Sequence, residues 1–165
     1  MIGAREPGEK EGAMAGRATP TWTVQVARPP EEVFAYLAEV RRHHEWSPKP
    51  YRVEGLADGP VGLGTKFGSI GWVPKDADHH NTVEVTEYQP PSRLQFTADD
   101  RGQPFISTFT LTPQGGGTKV ERQIDMPKPG GILFPLLLVG FLRPAIQKGM
   151  TMLKTNLEKG TGSSA

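Results

Sequence analysis

Arg122 carries the most pointed chemistry in this chain. Thr118, Val120, Arg122 and Ile124 alternate with Lys119, Glu121, Gln123 and Asp125. Successive side chains of a strand point to opposite faces, so Arg122 shares its face with apolar neighbours. On a concave face, its guanidinium could hold a carboxylate, enolate or phosphate through paired hydrogen bonds. Near a strand end it would instead form a salt bridge at the rim, and the sequence leaves both readings open. The same alternation groups Phe105, Ser107, Phe109 and Leu111, Leu94 with Phe96, Asn81 with Val83 and Val85, and Phe67 with Ser69. We read these faces as one concave wall. Trp46, Phe67, Val83, Phe96 and Phe109 are its expected apolar lining, and Ser69, Asn81, Ser107 and Arg122 its expected polar points. For each aromatic, ordinary core packing is the competing reading.

The four histidines fall in two adjacent pairs, His43-His44 and His79-His80. Strand neighbours diverge and helical neighbours are about 100° apart, so neither pair presents two ligands to one metal ion. No metal site is expected, and Asp76 and Asp78 are assigned to a solvated polar turn spanning 74–78. If the chain catalyses a reaction, Arg122 and His80 are the candidates, one to stabilise developing negative charge and the other to move a proton. Cysteine is absent, which excludes disulfides and thiolate chemistry and fits a cytoplasmic protein. Gly115-Gly116-Gly117 lies between strands rather than before a helix, so it is no phosphate loop. There is no G-x-S-x-G elbow and no H-E-x-x-H. No cofactor is implied.

The elements that must position these residues are legible from periodicity. Residues 1–18 mix glycine, proline and both charges and read as a disordered leader, with 161–165 a polar tail and 19–160 one domain. A strand over 20–28 is followed by a helix opening at Pro29-Pro30-Glu31-Glu32, with proline and acids suited to its first turn. A short second helix or turn ends at Trp46-Ser47-Pro48. Six further strands follow, over 51–56, 64–72, 80–88, 93–98, 104–112 and 118–126, separated by Gly- and Pro-rich turns. Ile146, Met150, Leu153 and Leu157 recur at helical spacing, with Pro144 in the first turn and Gly160 at the end. Ahead of them, residues 132–142 have no polar face, and Phe134 and Phe141 belong to this run. It is too short to span a bilayer and is interrupted by Pro135 and Gly140. It reads as a buried helical segment, as an apolar lid over a cavity contributing Phe134 and Phe141 to ligand contacts, or as a site of transient membrane contact.

This order, one strand, one or two helices, six strands and a terminal helix, is α+β: a curved seven-stranded antiparallel sheet wrapped around a long helix. Together with Trp46-Ser47-Pro48, Gly62-Leu63-Gly64-Thr65, Pro90-Pro91-Ser92-Arg93-Leu94-Gln95-Phe96 and Gly116-Gly117-Thr118-Lys119-Val120, it resembles the START-like, or SRPBCC, helix-grip superfamily over roughly residues 20–160. That superfamily includes the polyketide cyclase/dehydrase and lipid-transport proteins. The resemblance implies a cavity between sheet and helix and leaves the chemistry undecided.

The function expected first is binding of a hydrophobic small molecule such as a lipid, isoprenoid or polyketide-like compound. The alternatives are a cyclase, aromatase or dehydratase using the same cavity, and a protein-interaction module using 132–142. A formal net charge of +1 and no basic cluster argue against nucleic acid as a partner.

Overall fold

The computed structural model describes residues 16–73, 76–100, 102–128 and 138–159. Its strands are β1 (Arg17–Ala18), β2 (Thr21–Val26), β3 (Tyr51–Glu54), β4 (Lys66–Val73), β5 (Asp76–Gln89), β6 (Arg93–Asp100), β7 (Gln103–Gln114) and β8 (Gly117–Pro127). Helix α1 (Pro30–Ala38) leads into a 3-10 helix (Val40–Glu45), and a π-helical turn (Leu138–Leu142) leads into the C-terminal helix α2 (Arg143–Lys159). All the pairings are antiparallel, in the order β1-β8-β7-β6-β5-β4-β3, with β2 also pairing β8.

The sheet has eight strands where seven were expected, and the reason is a proline. β1 and β2 lie one after the other along the same edge of β8, Ala18 opposite Met126 and Thr21 opposite Gln123. Pro20 between them has no N–H to give the ladder, although its carbonyl still accepts from Ile124 N at 3.0 Å. One edge is thus read as two strands, and Arg17 and Ala18, assigned from sequence to the leader, belong to it. Arg17 is anchored there by Nε donating to Asp125 Oδ1 at 2.6 Å. The expected polar turn over 74–78 is also corrected: Asp76 and Asp78 are already in β5.

Two irregularities bend the sheet. The β5–β6 register shifts between Val85 and Glu87, and the β4–β5 register between Gly71 and Val73. A bulge of this kind adds twist and switches the alternation. Before it Val83 and Val85 are buried inward; after it Tyr88 takes the inner face, its ring edge-on to Phe34 at 5.1 Å.

At one end the concave side is solid. Val33, Phe34 and Leu37 of α1 pack with Leu94, Leu111, Val120 and Val26 of the sheet and with Met150 and Leu153 of α2. The helical stripe read from sequence is present, with Met150 and Leu153 wholly buried and Ile146 and Leu157 partly so. The backbones of β2 and β8 approach so closely at Gly117 that a Cβ there would collide with the Val26 carbonyl oxygen.

Of the apolar run, residues 132–137, including Phe134, lie outside the described residues. The part that is described is no buried helix: Val139 is 62% exposed, while Leu142 packs on the core. No helix of the described residues is long and apolar enough to cross a membrane.

Gly117→Ala is expected to destabilise the protein by about 3 kcal/mol, because the clash is with backbone that cannot shift without breaking the β2–β8 ladder. Urea unfolding of the variant measures this; a loss below about 0.5 kcal/mol would contradict the close approach.

Candidate functional site

At the other end of the concave side the interval between sheet and α2 is hollow, because the residues that face each other there are small. Ser69, Ala98 and Ser107 stand on the sheet, and Ala145 and Gly149 on the helix. Gly149 lets α2 settle onto the chain at Trp46, since a Cβ there would lie 3.1 Å from the Trp46 carbonyl oxygen. The cavity measures ≈ 330 Å³, at the lower end of the range for small-molecule sites.

The wall follows from strand register. Ser69 is opposite Asn81, Phe67 opposite Val83, Val83 opposite Ala98, Phe96 opposite Ser107, and Phe109 opposite Arg122. The expected residues Trp46, Phe67, Ser69, Asn81, Val83, Phe96, Ser107, Phe109 and Arg122 are brought together around this one space. Phe141 is not in the wall; its ring lies 5.9 Å from that of Trp72 at the rim, where Lys49 Nζ also sits 4.4 Å over the indole. His80 is corrected: its parity in β5 is opposite to that of Asn81, so it is exposed and its Nδ1 lies 3.2 Å from Glu54 Oε1.

The Arg122 guanidinium lies beneath Trp46 and Phe109, its Cζ 5.3 and 5.2 Å from the two ring centroids. Its Nε donates to Ser107 Oγ at 3.0 Å. Burial pulls its pKa down to about 10, so it is charged at neutral pH. The hydroxyl of Tyr51 is pushed up by burial, with Ser69 and the charge of Arg122 acting the other way, and stays protonated. Two further polar atoms on wall residues, Trp46 Nε1 and Asn81 Oδ1, are buried without a hydrogen-bond partner.

Sequence reasoning missed His43 as a wall residue, having considered it as half of a pair unsuited to metal. A 3-10 turn separates neighbours by a third of a revolution, so His43 points in while His44 points out, its Nδ1 2.8 Å from Arg41 O. The Nε2 of His43 donates to the Leu37 carbonyl oxygen at 2.8 Å, which leaves the lone pair on Nδ1. Its ring packs on Trp46 and Phe96 at 4.9 and 5.4 Å. Burial chiefly, and the Arg122 charge, lower its pKa to about 4. Tyr51 and Trp72 were also missed as wall residues: Tyr51 begins β3, where alternation alone gives no face, and Trp72 lies in the register shift between Gly71 and Val73, where the alternation set by Phe67 and Ser69 breaks.

A polar brace holds this floor to α2. Tyr36 Oη donates to Glu45 Oε2 at 2.7 Å, Arg42 Nε to Glu45 Oε1 at 2.8 Å, and Asn156 Nδ2 to the Glu45 carbonyl at 2.9 Å. Glu45 immediately precedes Trp46, so the brace fixes the indole that covers Arg122. His79 lies away from the cavity, between Asp76 and Asp100 at 2.9 and 3.0 Å, and the first of these raises its pKa. Among the described residues no group of three or more His, Cys, Asp or Glu side chains could hold a metal ion.

A curved antiparallel sheet closed by one long helix, with a cavity between them, defines the helix-grip class. A profile of the polyketide cyclase / dehydrase and lipid transport family matches residues 17–158, and the chain belongs to that family. No curated protein matches it. Among solved structures it is similar to a protein from Thermus thermophilus, TTHA0849, with 14% identity over 88% of this chain and 100% of that one and a TM-score of 0.67. Ara h 8.0201 superposes with a TM-score of 0.66 at 13% identity, over 87% and 99% of the two chains. DynU16, a protein in the dynemicin biosynthetic locus, does so with a TM-score of 0.59 at 21% identity, over 89% of this chain and 49% of that one. These likenesses establish the fold.

The unfolded chain protonates His43 more readily than the folded one, so this residue contributes stability that is full above the usual 6.5 and is lost as pH falls toward about 4. Unfolding free energy is expected to drop by about 1.4 kcal/mol per pH unit in that window. His79 works in the opposite sense, full below 6.5 and lost above it, and so leaves the window to His43. Urea unfolding between pH 7 and 4.5, with His43→Phe flattening the slope, checks this; an NMR titration of the ring with a midpoint near 6.5 would contradict it.

Proposed function

We propose that this protein binds a hydrophobic small molecule in the cavity between the sheet and α2. The observation that carries the reading is the hollow itself: ≈ 330 Å³ of space with a largely aromatic wall and a few polar groups, the usual composition of a small-molecule site. Membership of a family described by cyclisation, dehydration and lipid transport agrees with it. Native mass spectrometry of purified protein, followed by organic extraction, should find a bound apolar compound. Ala98→Trp, which fills the space from the sheet, should lose that compound while melting within a few degrees of the wild type. No extractable ligand from either protein would count heavily against the reading.

A second reading, a cyclase, aromatase or dehydratase, is favoured by the proximity of Arg122, Tyr51 and His43. Arg122 would stabilise an enolate and Tyr51 or His43 would move the proton. The ring that burial holds near 4 is a weak base at pH 7, which supports the binding reading over one that uses His43 as the base. With a poly-β-keto thioester as substrate, Arg122→Gln should abolish turnover and leave part of the binding; unchanged turnover removes the assignment.

A further inference from the structure

Arg122 is a half-buried cation in the cavity wall with no protein counter-charge. Among the described residues no carboxylate forms an ion pair with it, and its one hydrogen bond is Nε to the neutral Ser107. Every other group beside it is neutral as well: the rings of Trp46 and Phe109, the protonated hydroxyl of Tyr51, and His43 with its proton fixed on Nε2. Once a ligand displaces water from the cavity, leaving this charge unpaired would cost several kcal/mol unless an opposite charge and hydrogen bonds compensate. Aromatic faces offset part of this, but the η nitrogens of the fork still have no acceptor.

The surrounding polar atoms point the same way. Ser107 Oγ uses a lone pair on Arg122, which leaves its hydroxyl proton to give. Tyr51, in the same wall, carries a proton. A set of donors around one cation suits an anion. Asn81 Oδ1 is the exception, a buried acceptor without a partner in the same wall.

Resting on the reading of the cavity as a binding site, we propose that its ligand is a compact monocarboxylate. An apolar, ring-sized body fills the aromatic space and one carboxylate pairs with Arg122. A carboxylate matches the planar fork through two parallel hydrogen bonds. A phosphate monoester would bring nearly two charges to one guanidinium, and the other cation of the wall, Lys49, is exposed and lies over Trp72 at the rim.

The probes are 2-naphthoate and its neutral counterpart 2-naphthalenemethanol, titrated calorimetrically at pH 7.5. Naphthoate should bind about tenfold or more tightly than the alcohol, the worth of one charge-assisted pair. Arg122→Met should bring the acid down to the affinity of the alcohol, Arg122→Lys should keep part of the preference, and exposed Arg52→Gln should keep all of it.

Equal affinity for acid and alcohol, or a preference that survives Arg122→Met, overturns the proposal. Failure of both probes alongside an extractable neutral lipid overturns the carboxylate and leaves the binding reading standing. Failure of both with no extractable ligand removes the two together. Should the Met variant not fold, the wild-type comparison and Arg122→Lys decide.

Discussion

Small side chains face one another where sheet and helix cross, and the rest of the molecule follows from that. Interiors normally pack as densely as organic crystals. At about 24 cal/mol per Å³ of void, a dry space of ≈ 330 Å³ would cost on the order of 8 kcal/mol, comparable to the whole stability of a domain. Such a space is wet or occupied, and the sequence holds it open by placing Ser69, Ala98, Ser107 and Gly149 where larger residues would close it. The solid cluster at the opposite end, with Leu37, Leu94, Val120 and Leu153 wholly buried, supplies the stability that lets the other end stay hollow.

Within that space the one charge sets the chemistry. Arg122 is held under two rings by Ser107 and lies in a setting that depresses His43 and leaves Tyr51 protonated. The brace of Tyr36, Glu45 and Asn156 joins α2 to the loop that carries Trp46, so helix position and the covering of the charge are mechanically linked. Family membership is shown by the match over residues 17–158. Structural neighbours at 13–21% identity supply the fold. The lone guanidinium and the hydroxyl donors near it are the polar groups this cavity offers.

The wall was legible in the sequence because strand alternation converts directly into a shared face. Phe67 with Ser69, Asn81 with Val83, Ser107 with Phe109, and Arg122 needed only parity, and the same parity would have removed His80. What parity could not give is what tertiary context decides. His43 turns inward because its helix is 3-10 and a free carbonyl, Leu37 O, waits there for its proton. The bulge between Val85 and Glu87 hands the inner face to Tyr88, and Pro20 divides one edge strand into two. Tyr51 sits at a strand start, where a face is fixed by neighbours rather than by period, and Trp72 sits in the irregularity between Gly71 and Val73. The helical stripe from Ile146 to Leu157 was plain, whereas the apolar run before it gave no sign that Val139 would stand in solvent.

The most direct measurement is anomalous diffraction from crystals grown with 4-bromobenzoate. A bromine peak is expected inside the protein among Phe67, Phe96 and Phe109, with the carboxylate within hydrogen-bond distance of the Arg122 η nitrogens. An interior closed by repacked side chains, or bromine found only on the outer surface while Arg122 pairs with a protein carboxylate, would contradict it.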